Sequence, residues 1–143
     1  MEDIYIGTPN AKQDEFLRCK KKYVAFGGAR GGGKSWAVRC KAKLLAQRYP
    51  GIRMLLVRRT MPEIEANHLE TLRLELAGTA VYRAEERRFV FGNGSVLQFG
   101  YCACDRDADR YQGAEYDVIF FDEATQLKEQ WMRKLAACVR GVN

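Results

Sequence analysis

The segment from residue 28 to residue 35 has the residue types of a phosphate-binding loop. It consists of Gly28-Ala29-Arg30-Gly31-Gly32-Gly33-Lys34-Ser35 and matches the pattern G-x-x-x-x-G-K-[ST] at every fixed position. Glycines let successive backbone N–H groups converge on an anion, and a following helix adds its own N–H groups. We expect Lys34 to reach the β- and γ-phosphates of ATP and Ser35 to ligate Mg²⁺. A glycine-rich turn with a chance lysine is the alternative.

Two adjacent acids could complete a hydrolytic site. Asp122 and Glu123 directly follow the apolar run 118–121, which predicts a strand buried on both faces. We expect Asp122 to hold Mg²⁺, directly or through a water, and Glu123 to polarise the water that attacks the γ-phosphate. Two carboxylates buried there would be very costly without a cation or hydrogen-bond donors. A hydrophobic-Asp-Glu sequence is common, but together with the phosphate loop it predicts a site that hydrolyses ATP.

A strand and a helix are predicted on either side of the phosphate loop. Residues 23–26 form a short apolar run, and apolar residues at helical spacing follow from Trp36 until Pro50-Gly51. Residues 54–57 predict a second, parallel buried strand. The two arginines at its carboxyl end, Arg58 and Arg59, lie where open α/β sheets bind ligands. These arginines could face nucleotide, DNA, a neighbouring subunit or solvent.

The middle of the chain predicts a helix and then an antiparallel hairpin. Thr60 and Glu63 fit a capping box, with Thr60 as the N-cap of a helix that ends at Gly78. Asn93-Gly94 is a strong hairpin turn inside a β-rich stretch, so a hairpin is inserted before the next core strand. Residues 105–110 are highly charged, and we expect them to form a mobile loop. Thr125 is expected to cap a final helix.

The cysteines and the single histidine are given structural interpretations. The five cysteines are odd in number and form no C-x-x-C pair, which indicates reduced thiols in a cytosolic protein. Cys102 and Cys104 could hold a metal, but a strand that places both on one face is the favoured interpretation. His68 lies in a helical pattern and is expected to be structural or on the surface.

Composition fits one globular domain that meets a phosphate-bearing partner. The chain has 143 residues, of which 47% are hydrophobic and 29% charged, with a net charge of +6. That charge suits a nucleotide or a nucleic acid, although basic solvated faces are common. The sequence contains no apolar run of membrane-spanning length and no signal-peptide pattern.

Several motifs together resemble the ATPase domain of the large terminase subunit of tailed phages. Gln13, in the segment 8–13, is similar to a glutamine on the adenine side, although a solvated helix residue is an equal alternative. Arg30 lies four residues before Lys34, as the family favours. Asn93-Gly94-Ser95 looks like the family's hairpin, and residues 110–117 look like its approach to the acidic strand. The resemblance covers nearly the whole chain.

The resemblance implies a fold, a reaction and partners. It implies a three-layer α/β P-loop NTPase of the additional-strand type, with a mostly parallel sheet in which one strand separates the strand of Asp122 from that of the phosphate loop. It implies a motor that packages double-stranded DNA into procapsids in the host cytoplasm, with the small terminase subunit, the portal and a homo-oligomeric ring as partners. Arg30 in cis and Arg110 in trans are then candidates to stabilise the transition state, a surface arginine being the alternative for Arg110.

Other interpretations stay open at this stage. A helicase or DNA-repair ATPase uses the same core, and a module that binds nucleotide without turnover is a third possibility. The family continues with the rest of the ATPase domain and a nuclease domain, which are not visible in this sequence. We therefore expect residues 1–143 to form an incomplete ATPase domain without nuclease activity.

Overall fold

The computed structural model describes residues 23–25, 34–122 and 127–139, which form a six-stranded sheet with helices on both faces. The elements in chain order are β1 Tyr23–Ala25, α1 Lys34–Arg48, β2 Arg53–Arg58, α2 Met61–Ile64, a π-helical segment Glu65–Leu69, α3 Glu70–Glu75, β3 Ala80–Arg83, β4 Arg88–Phe91, β5 Val96–Tyr101, α4 Asp105–Asp109, β6 Val118–Phe121 and α5 Glu129–Ala136. The segments α2, π and α3 follow one another without a break, and we call them together the 61–75 helix. The predicted α/β class is therefore confirmed.

The strand order of the sheet is β1-β6-β2-β5-β4-β3. The pairs β1/β6, β6/β2 and β2/β5 are parallel, whereas β5/β4 and β4/β3 are antiparallel. The sheet is therefore mixed, and the expectation of a mostly parallel sheet holds only for the four strands on the β1 side. The antiparallel part confirms the predicted inserted hairpin, with its turn at Gly94 in the left-handed region (φ 88°).

The predicted strand between β1 and β6 is not found among the described residues. Tyr23, Val24 and Ala25 pair directly with Ile119, Phe120 and Phe121 in parallel register. This pairing satisfies the backbone N–H and C=O groups along that side of β6, which an open edge would leave without partners. The expectation of one intervening strand, which defines the additional-strand type, is thus wrong for this part of the chain.

The two faces of the central strands are covered by different helices. On one face, a core formed by alternate strand residues packs against α1 and the 61–75 helix, and it includes Met54, Leu56, Val118, Phe120, Val38, Leu45, Ile64 and Leu72. On the other face, the intervening strand residues pack against α5 and the segment before it, and they include Leu55, Val57, Ile119, Phe121, Leu127, Trp131 and Leu135. The run 118–121 is buried throughout, as the sequence predicts for a strand covered on both faces.

The charged segment after β5 is a helix and not the loop that the sequence predicts. Residues Asp105–Asp109 form α4, in which Asp107 and Ala108 are buried. Two of its carboxylates have partners from a distant part of the chain. The indole Nε1 of Trp131 donates to Asp105 (2.6 Å), and Lys134 pairs with Asp109 (2.6 Å). These partners come from α5, whose position in space the local composition of residues 105–110 does not reveal.

The other helices agree with the sequence in type and differ at their ends. Helix α1 ends at Arg48, just before Pro50-Gly51, and Gly78 follows the 61–75 helix in the left-handed region (φ 83°). Helix α5 begins at Glu129 with Lys128 in the N-cap position, so Thr125, outside the described residues, is not its N-cap. Among the described helices, none is long and apolar enough to cross a membrane.

Candidate functional site

Strand β1 and helix α1 stand on either side of the predicted phosphate loop. Strand β1 ends at Ala25 and α1 begins at Lys34, so a strand precedes the glycine-rich segment and a helix follows it. Residues 28–33 themselves lie outside the described residues, as do Gln13 and Glu123. Backbone N–H groups at the start of a helix are suited to bind phosphate. The arrangement is the strand–loop–helix context that the motif requires.

Asp122 lies at the same edge of the sheet as the end of β1, which precedes the predicted phosphate loop in the chain. Ala25 is in register with Phe121, and Phe121 is in register with Val57. The carboxyl ends of β1, β6 and β2 therefore lie side by side at one edge of the sheet. The backbone N–H of Asp122 donates to the carbonyl of Val57 (3.0 Å) and thereby continues the ladder by one bond. Open α/β sheets bind ligands at the carboxyl ends of their parallel strands, and β1, which precedes the predicted phosphate loop, and β6, which precedes Asp122, both end at this edge.

The carboxylate of Asp122 is buried and held by two side chains. Its Oδ2 atom accepts hydrogen bonds from NH1 of Arg58 (3.0 Å) and from Nε2 of His68 (2.6 Å). The side chain of Asp122 is only 1% exposed. Burial raises the pKa of this carboxyl, but the hydrogen bonds and the positive charge outweigh burial and lower the pKa from its ordinary value. Asp122 is therefore an anion at neutral pH.

His68 contacts Asp122 from the interior, so of the two expectations for this residue the surface position is wrong and the structural one agrees with its burial. It belongs to the π-helical segment and is fully buried. Its Nδ1 atom lies 3.4 Å from NH1 of Arg39 on α1, which also donates to the carbonyl of Asn67 (2.6 Å). A guanidinium has donors only, so Nδ1 accepts, and the ring proton is assigned to Nε2, which faces Asp122.

Arg58 links Asp122 to the beginning of the 61–75 helix. Its NH2 atom donates to Glu63 (3.0 Å), and the hydroxyl of Thr60 donates to the other carboxylate oxygen of Glu63 (2.9 Å). Thr60 is the N-cap residue, but its side chain makes no capping bond, so the predicted capping box does not form. The charged guanidinium competes for the Glu63 carboxylate because charge-assisted hydrogen bonds are the stronger ones.

The arginine that ends β2 and the arginine that follows it have different environments. Arg58 is 5% exposed inside the cluster just described, whereas Arg59 is exposed. Of the open alternatives for this pair, a solvated turn is therefore wrong for Arg58, which is an internal partner of the acid at the end of β6.

Arg110 lies at the far side of the same sheet edge. It follows α4, pairs with Asp107, donates to the hydroxyl of Tyr101 (2.8 Å) and lies over the Tyr101 ring (4.9 Å). Strands β6 and β2 stand between β1 and β5, which corresponds to about 14 Å across the sheet. Arg110 therefore lies on the opposite side of β6 and β2 from β1, and its side chain is 54% exposed.

The two neighbouring cysteines do not share a face. Cys102 is buried just after β5, and Cys104 is exposed, so the expectation of one strand with both on one face is wrong. Burial raises the pKa of Cys102 to about 12. No group of three or more His, Cys, Asp and Glu side chains suited to a metal occurs in the part of the chain that the structure describes.

The sequence predicts Asp122 as a site residue but does not indicate the two side chains that hold it. His68 and Arg58 are 54 and 64 positions away from it in the chain, and neither belongs to a known nucleotide-binding motif. One signal was available: Arg58 ends a strand that the sequence placed in the same parallel sheet as residues 118–121. Such an arginine meets an acid at the end of a neighbouring strand.

Comparison with protein families identifies one match. The family described as "Terminase large subunit, T4likevirus-type, N-terminal" matches residues 25–137. This range begins at Ala25, the last residue of β1, and includes the phosphate-loop sequence, the cluster around Asp122 and α5. Comparison with curated proteins and with solved structures gave no match.

Proposed function

This chain belongs to the family of T4-like terminase large subunits, in its N-terminal part, and from that premise we propose that it is the ATP-hydrolysing motor domain that powers the packaging of double-stranded DNA. The observation that carries the proposal is the position of Asp122. This ionised carboxylate lies one residue beyond Phe121, which is in register with Ala25, the residue that ends β1 just before the loop. A phosphate loop and an anionic metal ligand at one sheet edge are the two parts that ATP hydrolysis requires.

The nucleotide is proposed to bind through the loop. The backbone N–H groups of residues 28–35, Ala29 among them, and the start of α1 would receive the phosphates, and Lys34 would contact the β- and γ-phosphates. Gln13 is the candidate for the adenine contact. The strand before the loop and the helix that begins at Lys34 support this part of the proposal.

Ser35 and Asp122 are proposed to hold Mg²⁺. The chemistry of Asp122 fits this ion, because an anionic carboxylate oxygen is the hard ligand that Mg²⁺ prefers. Its lowered pKa keeps it charged at neutral pH, as a metal ligand must be. When bound, the ion supplies positive charge that offsets the charge developing on the phosphate oxygens.

Four side chains are proposed to act on the reacting groups. Glu123 would orient the attacking water and accept its proton, and Lys34 and Arg30 would stabilise the charge on the γ-phosphoryl oxygens. Arg110 is proposed as a finger that reaches a neighbouring subunit. The two strands between β1 and β5, together with its exposure, support action in trans over action in cis.

The proposed partners follow from the family and from the charge. Double-stranded DNA would be contacted mainly at its phosphates, so binding would weaken with salt and depend little on sequence. The small terminase subunit, the portal and a ring of copies are proposed as protein partners in the host cytoplasm. The net charge of +6 suits the DNA contact. The family match favours this motor over the helicase-like and repair alternatives.

Phosphate release from Mg²⁺·ATP by the 143-residue chain tests the proposal. We expect Glu123→Gln to lower the rate by about 10²–10⁴-fold, because a positioned base contributes that much, while ATP still binds. Glu129→Gln is the matched control, since it removes an exposed carboxylate on α5. A Glu123→Gln rate equal to that of the unmodified chain would contradict the role of Glu123. ATP binding without turnover by the unmodified chain would favour the assembly module.

A further inference from the structure

We propose that His68 is a positioning residue for the Asp122 carboxylate, an inference that rests on the proposed role of Asp122 as a Mg²⁺ ligand. The Nε2 atom of His68 lies 2.6 Å from Oδ2 of Asp122, and the two side chains are 0% and 1% exposed. Water does not compete for a hydrogen bond at this depth, so the contact determines the orientation of the carboxylate. Nothing in the phosphate-loop or acidic motifs assigns a role to this histidine.

The imidazole is itself held on its second nitrogen. NH1 of Arg39 approaches Nδ1 at 3.4 Å and is anchored by its bond to the carbonyl of Asn67 (2.6 Å). Because Arg39 lies on α1, the helix that begins at Lys34, the histidine joins the helix after the loop to the acid at the end of β6. The hydrogen bond on one ring nitrogen fixes which proton the other nitrogen presents.

The π-helical segment explains how a residue of the 61–75 helix reaches the sheet edge. Glu65–Leu69 lies between two α-helical segments and contains His68, which is buried together with Leu69. A π segment adds one residue to a helical turn and thereby changes the direction of the side chains within it, and such segments occur often at functional sites. The local distortion places His68 in the interior, where Asp122 lies.

Arg58 and His68 fix the same oxygen from two separate elements. Arg58 comes from the end of β2 and His68 from the 61–75 helix, and both donate to Oδ2. Two donors from different directions restrict both side-chain torsions of the aspartate. A ligand that is already ordered loses less conformational freedom when a metal binds, and partners of this kind commonly change metal affinity 10- to 100-fold.

The dependence of nucleotide affinity on Mg²⁺ provides the first test. Dissociation constants for a non-hydrolysable ATP analogue are measured with Mg²⁺ and with EDTA for the unmodified chain, His68→Leu and His68→Gln. We expect the gain in affinity from Mg²⁺ to fall about 10-fold or more in His68→Leu, which has no donor. His68→Gln retains an N–H donor, so we expect Mg²⁺ to increase its affinity for the analogue nearly as much as in the unmodified chain.

Trp131→Phe is the control for the loss of a hydrogen-bond donor at a site away from Asp122. The indole Nε1 of Trp131 donates to Asp105 at 2.6 Å, the same length as the His68 contact, but on the opposite face of the sheet. We expect Trp131→Phe to lower the thermal midpoint without changing the gain from Mg²⁺. If Mg²⁺ increases the affinity of His68→Leu as much as that of the unmodified chain, the positioning role of His68 is overturned, but the proposed function is not. Failure of the unmodified chain to bind the analogue would overturn the proposed function and this inference with it.

The imidazole signals of the unmodified chain give a second test that needs no variant. His68 is the single histidine of the sequence, so its ring nitrogens are assigned without ambiguity in a ¹⁵N spectrum. We expect the proton on Nε2 with Nδ1 unprotonated, and a shift of both signals when Mg²⁺ is added to the protein saturated with the analogue. A proton on Nδ1, or signals that Mg²⁺ leaves in place, would overturn the proposal even if His68→Leu does not fold.

Discussion

The guanidinium of Arg58 and the carboxylate of Asp122 form an ion pair across the ends of β2 and β6, with NH1 3.0 Å from Oδ2 and side-chain exposures of 6% and 1%. Removing Arg58 leaves the Asp122 carboxylate in the interior with the hydrogen bond from His68 but without the charge of the guanidinium. We therefore expect Arg58→Met to lower the free energy of unfolding by about 3–5 kcal/mol. Urea unfolding monitored by circular dichroism measures the change.

A surface ion pair provides the control for this substitution. Arg133 and Glu129 lie four positions apart on α5, with side-chain exposures of 78% and 76%. We expect Arg133→Met to change the free energy of unfolding by less than about 0.5 kcal/mol, because water screens such pairs. Equal losses in Arg58→Met and Arg133→Met would contradict the structural importance of the buried pair.

Gly100 is expected to tolerate no larger residue because of Tyr111. A methyl group at residue 100 would lie 3.1 Å from Cζ of Tyr111 and 3.2 Å from Cδ1 of Leu55, with the Tyr111 hydroxyl closer still. In a strand, alanine normally gives a more stable protein than glycine. Here the overpacking makes alanine the destabilising residue. We expect Gly100→Ala to cost about 1–3 kcal/mol in unfolding free energy. Thermal and urea unfolding measure it.

A double variant separates this clash from other effects of the alanine. Tyr111→Phe removes the hydroxyl that the new methyl group meets first, so Gly100→Ala is expected to cost less in that background. Gly92→Ala serves as the control, because nothing lies within 4 Å of its added Cβ. If Gly100→Ala lowers the unfolding free energy as much in the Tyr111→Phe background as in the unmodified chain, the Tyr111 hydroxyl is not the cause of the clash.

Cys102 and Cys104 are expected to differ in reactivity although they are two positions apart. Burial raises the pKa of Cys102 to about 12, so only about one molecule in ten thousand carries the thiolate at pH 8. Cys104 is exposed. Iodoacetamide at pH 8, followed by peptide mass spectrometry, should label Cys104 well before Cys102. Equal labelling rates in the folded chain would contradict the burial of Cys102.

The stability of the chain is expected to fall in acid through Asp122. Burial raises the pKa of this carboxyl, but the hydrogen bond from His68 and the pair with Arg58 outweigh burial and lower the pKa below its ordinary 3.8. A lowered pKa contributes stability above the unfolded value, and that stability is lost as the pH falls through the folded value. The unfolding free energy of the unmodified chain should therefore exceed that of Asp122→Asn at about pH 5, and the excess should shrink below about pH 4. An excess that grows in acid would contradict the lowered pKa.

Local sequence patterns predicted much of the sheet and the hairpin. Continuous apolar runs identify β2 and β6, because strands that are buried on both faces have no polar positions to interrupt them. Asn93-Gly94 identifies the hairpin, because its turn requires a left-handed backbone that glycine adopts without strain. In these elements the information lies within a few consecutive residues.

Long-range contacts explain what the sequence did not reveal. The helix at 105–109 depends on Trp131 and Lys134, about 25 positions later in the chain. The same holds for the bond between His68 and Asp122, which joins residues 54 positions apart. The pairing of β1 with β6 is likewise not predictable from local composition, which does not specify which strand lies next to β1. Partners of this kind are set by the fold and leave no periodic pattern.

Metal-directed cleavage of the backbone tests most directly whether the phosphate loop and the acids share one ion. Fe²⁺ replaces Mg²⁺ in the presence of ATP, ascorbate and peroxide generate radicals at the metal, and mass spectrometry locates the cuts. We predict ATP-dependent cuts both at residues 34–35 and at residues 122–123, suppressed by excess Mg²⁺. Cuts at only one of these two segments, or cuts that do not depend on ATP, would contradict a shared metal site.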